Sequence, residues 1–146
     1  MFISILALVF SGIATLTSIA AIVVTIVHKK GDKKHSFYSS FEEKISNVLF
    51  GSLPKALNSF IDKNRRKINK DKYSKIDICF NELYQSIGCL NYLDENDYAS
   101  LYKSISDLEE TLMILKEKGF EEARLTKVEE LTKGLYKSFK DFCLNH

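Results

Sequence analysis

The chain has 146 residues, of which 21 are Lys or Arg and 19 are Asp or Glu, giving a formal net charge of +2 at pH 7. Its mixture of 45% hydrophobic and 27% charged residues excludes an intrinsically disordered protein. Its length leaves room for one compact domain beside a short N-terminal segment.

The N-terminal segment, residues 1–27, contains no charged side chain. As an α-helix, residues 3–27 extend about 37 Å, which exceeds a bilayer core of roughly 30 Å. A cleaved signal peptide is the alternative, because Ser18-Ile19-Ala20 has the small-x-small form of a cleavage site. The apolar run continues beyond that site and no Lys or Arg precedes it, so the sequence predicts a retained transmembrane anchor over residues 1–27.

A basic juxtamembrane linker is predicted over residues 28–36. Its lysines are Lys29, Lys30, Lys33 and Lys34. The positive-inside rule then places the N-terminus outside and residues 37–146 in the cytoplasm, at the inner or plasma membrane. We expect the anionic inner surface of that membrane to attract the linker.

Small residues recur at heptad spacing along the predicted anchor. They are Ser4, Ala7, Ser11, Ala14, Ser18, Ala21 and Thr25. Such a stripe lets helices pack closely in lipid, which predicts a homo-oligomer or a subunit of a membrane complex. The alternatives are a featureless anchor and a pore whose lumen is lined by the Ser and Thr members of the stripe.

Residues 37–146 predict an all-α, up-and-down antiparallel bundle of about five helices, because apolar residues recur three and four positions apart. The predicted helices are 41–50, 54–68, 71–92, about 97–118 and 121–144. Ser40 is the expected cap of the first, and Asn96 or Asp97 of the fourth. Gly51 and Gly119 are the expected helix ends, with the chain reversing between Gly51 and Pro54.

The stretch KNRRKINKDKYSK, residues 63–75, is the most basic part of the predicted bundle. Its cations are Lys63, Arg65, Arg66, Lys67, Lys70, Lys72 and Lys75. Three interpretations stay open: a solvated helix end, contact with anionic lipid, and contact with nucleic acid phosphates. A reversal after Gly51 predicts that this stretch returns to the bilayer, but the acidic turn at 117–122 then also returns to it.

Four tyrosines are expected around one end of the bundle: Tyr84, Tyr92, Tyr98 and Tyr102. They form either a partner-binding tip or half-buried packing.

Catalytic and metal-binding patterns are missing from the sequence. The three histidines, His28, His35 and His146, lie outside the predicted helices, and the acidic pairs are adjacent residues that point in different directions around a helix. The sequence contains no CxxC, zinc-type cluster, Walker loop or dinucleotide motif. We therefore predict no enzyme, no catalytic or metal-binding residue, no cofactor and no small-molecule substrate. The three cysteines are expected to be free thiols.

The expected function is that of a membrane-anchored, cytoplasmic helical interaction or regulatory module. The first alternative is a pore-forming or membrane-permeabilising effector, and the second is a membrane-tethered nucleic-acid-binding module.

Overall fold

A computed structural model of the chain describes residues 36–92 and 94–146. The predicted anchor, its small-residue stripe and the linker lysines lie outside the described residues. Among the helices that are described, none combines the length and the apolar character that a membrane span requires. The chain divides into two compact units, Met1–Ser39 and Ser40–His146. In the first unit, residues 36–39 are helical.

The second unit is mostly helical, which confirms the predicted all-α class. Its helices are α1 (residues 40–47), α2 (Leu53–Phe60), α3 (Tyr73–Gly88), α4 (Glu95–Lys118) and α5 (Glu122–Asn145). Two short strands, β1 (Ile61–Asp62) and β2 (Lys67–Ile68), pair after α2. Short 3₁₀ turns flank α3, at Lys70–Lys72 and Cys89–Tyr92.

The predicted chain reversal between Gly51 and Pro54 is wrong. A π-helical turn, Val48–Ser52, connects α1 to α2, and Ser52 and Leu53 both have right-handed helical dihedral angles. The N–H of Leu53 donates to the carbonyl of Val48, five residues back. Pro54 has no N–H to donate, and a wider turn accommodates a proline in the first turn of α2. Glycine is compatible with a left-handed helix end but does not require one.

The predicted cap at Ser40 is also wrong, because residues 36–47 are all helical and Ser40 lies inside that stretch. Tyr38 and Phe41 are each only 4% exposed. A capping-box pattern carries no information about such burial.

Residues 61–68 form a β-hairpin where the sequence predicts the second half of a helix. Ile61 pairs with Ile68, and Asp62 with Lys67, in an antiparallel ladder. Both isoleucines are buried, at 7% and 8% exposure. Helical spacing and a hairpin both place these isoleucines on one side, so the apolar pattern alone does not distinguish the two.

Helices α3, α4 and α5 are confirmed in type and order. Tyr84 of α3 contacts Glu109 of α4, and the earlier Tyr73 contacts the later Lys116, so α3 and α4 run antiparallel. Helix α5 runs antiparallel to α4, because its Ser138 contacts Ser104 and His146, directly after α5, contacts Asp97.

The core lies along the predicted apolar stripes of these helices. In α3 and the turn after it, the stripe residues Ile76, Phe80, Leu83, Ile87 and Leu90 are at most 1% exposed. In α4 the buried stripe is Leu101, Ile105, Leu108, Leu112 and Leu115, while Tyr98, with which the predicted stripe begins, is half-buried. In α5 it is Val128, Leu135, Phe139 and Phe142, while Leu131 is half-buried.

The N-terminal cap of α4 is Asp94, not the predicted Asn96 or Asp97. Asp94 Oδ1 accepts hydrogen bonds from the backbone N–H groups of both of those residues at 3.1 Å. Gly119 ends α4 as predicted, and its φ of +84° is in the left-handed region that favours glycine.

Replacing Asp94 by Ala is expected to lower the free energy of unfolding by about 1 kcal/mol, because two N–H groups of α4 lose their acceptor. Urea unfolding of the full chain, followed by circular dichroism, measures this change. Asn96→Ala is the matched control, since the exposed Asn96 side chain does not form the cap. Equal losses for the two variants contradict the assignment.

Candidate anion-binding surface

The basic segment, defined as residues 63–75, begins in the loop of the β-hairpin. Asp62 Oδ1 accepts a hydrogen bond from the backbone N–H of Arg65 at 3.0 Å, an arrangement that stabilises a tight turn. Arg66 has a φ of +48°, a left-handed conformation that costs a non-glycine residue roughly 1 kcal/mol. The loop therefore holds both arginines in a defined turn.

The hairpin is tied to the end of α2 by the residue that follows it. The backbone N–H of Asn69 donates to the carbonyl of Phe60 at 2.8 Å, and its side-chain amide donates to the carbonyl of Ser59 at 3.1 Å. These bonds satisfy carbonyls that the last turn of a helix leaves open. The turn between the two strands, residues 63–66, is called the basic loop. These hydrogen bonds hold the base of that loop in place.

Acidic residues around the start of α5 lie against this loop. Lys63 donates a hydrogen bond to Glu129, and Arg66 Nη2 lies 3.4 Å from Glu122 Oε2. Lys70 donates at 3.5 Å to the backbone carbonyl of Glu117, in the last turn of α4. Lys63 holds the pKa of the Glu129 carboxyl below its ordinary value. The acidic turn at 117–122 therefore packs beside the basic loop.

Exposure distinguishes these pairs from a buried ionic network. The Arg65 and Arg66 side chains are 83% and 74% exposed, and Lys63 is 60% exposed. Ion pairs in contact with water contribute little to stability, so a phosphate can compete for these cations. Arg65 and Lys72 make further ion pairs with Asp62 and Asp71.

Three cations of the basic segment, Lys67, Lys70 and Lys75, make no ion pair with an acidic side chain among residues 36–92 and 94–146. All three are exposed. The surface can therefore attract anions while four of its seven cations remain internally paired.

The aromatic residue of the basic segment, Tyr73, is only 3% exposed. Its ring lies edge-on to Phe60 at 5.3 Å, and the Lys116 Nζ is 4.2 Å from its centre. Burial, followed by the charges of Asp77 and Glu109, raises the pKa of Tyr73 to about 12. A ring covered in this way is not available for stacking on a nucleic acid base.

Three of the four predicted tip tyrosines come together. The centre of the Tyr102 ring lies 5.4 Å from that of Tyr84 and 5.6 Å from that of Tyr98. Tyr84 also donates a 2.6 Å hydrogen bond to Glu109, and burial followed by this bond raises the Tyr84 pKa. Tyr92 is 89% exposed and lies outside these ring contacts. Tyr84 and Tyr98 are half-buried, whereas Tyr102 is 45% exposed, so the partner-binding tip stays a prediction.

Donor atoms suited to a metal ion meet where α4 begins and α5 ends. Asp94, Asp97 and His146 each place one donor atom within 4.8 Å of the others. The sequence analysis missed this group because His146 lies 49 positions from Asp97. Its contacts have a structural explanation, since Asp94 caps α4 and His146 Nε2 lies 2.6 Å from Asp97 Oδ2. The His146 ring also packs against Phe142, with centres 4.9 Å apart.

The cysteines are free thiols, as predicted. Cys79 is buried, Cys143 is half-buried and Cys89 is exposed. Burial raises the pKa of both Cys79 and Cys143, which favours the unreactive thiol form.

Comparisons of the chain with protein-family models, with curated proteins and with solved structures found no match.

Proposed function

We propose that the chain is a non-enzymatic, membrane-anchored interaction module whose basic segment contacts an anionic membrane surface. The main support for this proposal is the exposed hairpin loop. Hydrogen bonds fix its backbone, and it contains Lys63, Arg65 and Arg66. A preorganised loop loses little conformational entropy when it binds.

The sequence supports the membrane part of this proposal. Residues 1–27 carry no charge and are followed by four lysines within residues 29–34. An anchored chain keeps any nearby basic surface at a high local concentration relative to the lipid head groups. Each Lys or Arg close to an anionic leaflet contributes about 1 kcal/mol. Three of the seven cations, Lys67, Lys70 and Lys75, have no acidic partner among the described residues, and the exposed pairs of the other four can exchange a carboxylate for a lipid phosphate.

Lipid is a better match for the surface than nucleic acid. Proteins that bind single-stranded nucleic acid combine cations with exposed aromatic rings for stacking. Within residues 63–75 the aromatic residue is Tyr73, and it is buried. Self-association through the stripe and pore formation remain proposals that rest on residues 1–27 alone.

Hydrogen–deuterium exchange of the full chain, reconstituted in vesicles, tests the surface. We expect residues 61–75 to exchange more slowly in vesicles containing phosphatidylglycerol than in neutral phosphatidylcholine vesicles. High salt should reverse the effect, because it screens exposed charges. Replacing Arg65, Arg66, Lys67 and Lys70 together by Gln should abolish most of it, since each cation contributes about 1 kcal/mol.

The matched control removes the same number of charges elsewhere, by replacing Lys103, Lys127, Lys137 and Lys140 with Gln. These lysines are exposed on α4 and α5. Equal effects of the two quadruple variants contradict the proposal. Protection of residues 61–75 by an RNA oligonucleotide, with none from anionic vesicles, favours the nucleic-acid alternative instead.

A further inference from the structure

An apolar groove lies between the α2–hairpin junction and α5. Its cavity volume is about 260 Å³, and its apolar lining comprises Leu57, Ile61, Leu125 and Val128. Ile61, Leu125 and Val128 are mostly buried, at 7%, 7% and 3% exposure, so they form the floor of the groove.

Two hydroxyl groups of the lining are already hydrogen-bonded to the protein. Thr132 donates to the carbonyl of Val128 at 2.7 Å, and Tyr136 donates to the carbonyl of Leu49 at 3.1 Å. A polar ligand that enters the groove therefore gives up hydrogen bonds to water, and the Thr132 and Tyr136 hydroxyl donors do not replace them. An apolar chain has no hydrogen bonds to water to lose, and burying its surface is favourable.

Charged side chains occupy the exposed edge of the same groove. Lys63, Glu129 and Lys133 all line it and are all exposed. Glu129 accepts the hydrogen bond of Lys63, and the charge of Lys133 also helps to lower the pKa of the Glu129 carboxyl. Lys133 is nevertheless too far away to form an ion pair within the described part of the chain. The edge therefore carries one excess positive charge directly beside the apolar floor.

We propose that this groove binds a free alkyl monocarboxylate, with the alkyl chain on the apolar floor and the carboxylate at Lys133. The site goes beyond the proposed membrane contact, because it takes one chain in a groove and not a lipid surface on the basic loop.

The experiment uses the full chain in neutral phosphatidylcholine vesicles and a photoactivatable decanoate, with the labelled peptides identified by mass spectrometry. We expect labels within residues 57–63 and 125–136. Unlabelled decanoate should compete strongly and 1-decanol weakly, because the alcohol lacks the charge that Lys133 attracts. Stronger competition by a single-chain phosphatidylglycerol than by decanoate at equal concentration overturns the assignment of a free monocarboxylate.

Two variants make the test specific. Lys133→Gln should reduce labelling about fivefold, as expected for the loss of one partly exposed ion pair. Lys137→Gln is the matched control, because Lys137 is exposed one turn further along α5 and does not line the groove. Thr132→Phe should block labelling by filling the space, and circular dichroism verifies that each variant retains its helices.

Labels confined to other residues overturn the proposal. So does equal competition by decanoate and 1-decanol, or an equal effect of the two lysine variants. Undiminished labelling of a helical Thr132→Phe protein has the same consequence. None of these outcomes depends on the basic loop, so the groove and the proposed membrane contact can fail separately.

Discussion

Replacing Phe60 by Ala is expected to lower the free energy of unfolding by about 3–5 kcal/mol, the largest effect of any change considered for this chain. Phe60 is 0% exposed, and its ring lies edge-on to Tyr73 at 5.3 Å. Its backbone carbonyl accepts the bond from Asn69 that closes the base of the hairpin. The smaller side chain leaves a cavity where α2, the hairpin and α3 meet.

Urea unfolding of the full chain, followed by circular dichroism, measures the loss. Ile78→Ala is the matched control, because Ile78 is 58% exposed on α3 and its removal leaves no cavity. We expect the control to change stability by no more than about 0.5 kcal/mol. If the two variants unfold at the same urea concentration, Phe60 does not lie in the core.

Replacing Tyr73 by Phe is expected to stabilise the protein, by about 1 kcal/mol or more, although it removes a polar group. The Tyr73 hydroxyl is buried and has no hydrogen-bond partner among the residues that the structure describes. Water hydrates this hydroxyl in the unfolded chain, and folding removes that water without replacement. Phenylalanine keeps the ring and its contact with Phe60 and avoids the cost.

The same substitution should change the alkaline limb of the stability curve. Burial raises the pKa of Tyr73 from 10.0 to about 12, so the unfolded chain releases this proton at a lower pH than the folded one. The contribution of this raised pKa is fully present below pH 10 and is lost as the pH rises from 10 to about 12. Tyr73→Phe should therefore lose less stability than the parent over that interval.

Urea midpoints at pH 7 and at several values between pH 10 and 12 measure both effects. Tyr92→Phe is the control, because Tyr92 is 89% exposed and its side chain is not buried on folding. A Tyr73→Phe protein that is less stable than the parent at pH 7 shows that the hydroxyl has a stabilising partner.

The uneven charge of the sequence has a specific counterpart in the fold. Residues 1–93 carry 13 basic and 7 acidic side chains, whereas residues 94–146 carry 8 and 12. In the folded unit the basic loop lies beside the acidic start of α5, through Lys63 with Glu129 and Arg66 with Glu122. The acidic turn that conflicted with a membrane-facing basic segment is thus adjacent to that segment, and partly neutralises it.

The sequence is sufficient to predict the type and order of α3, α4 and α5. Their apolar residues repeat at helical spacing over long stretches, and each stripe is buried as that spacing predicts. It also determined where α4 stops, because Gly119 adopts a positive φ that few other residues tolerate. These features depend on residues within one or two turns of each other, which is the range that a periodic pattern reports.

For the candidate site, the sequence predicts the basic residues but not the backbone structure that presents them. The pattern of cations identified all seven basic residues of the segment, but it predicted a helix for residues 61–68, where a hairpin occurs. Ile61 and Ile68 are compatible with both structures. The choice depends on Asn69 binding the end of α2 and on both isoleucines reaching the core.

Which distant residues lie side by side follows from the packing of the helices and not from local sequence. Lys63 and Glu129 are 66 positions apart, Tyr136 and Leu49 are 87 apart, and Asp97 and His146 are 49 apart. The groove likewise exists only because the α2–hairpin junction packs near α5. Local spacing carries no information about such pairs, since they form when burial of the apolar stripes brings separate helices together and fixes which polar faces meet.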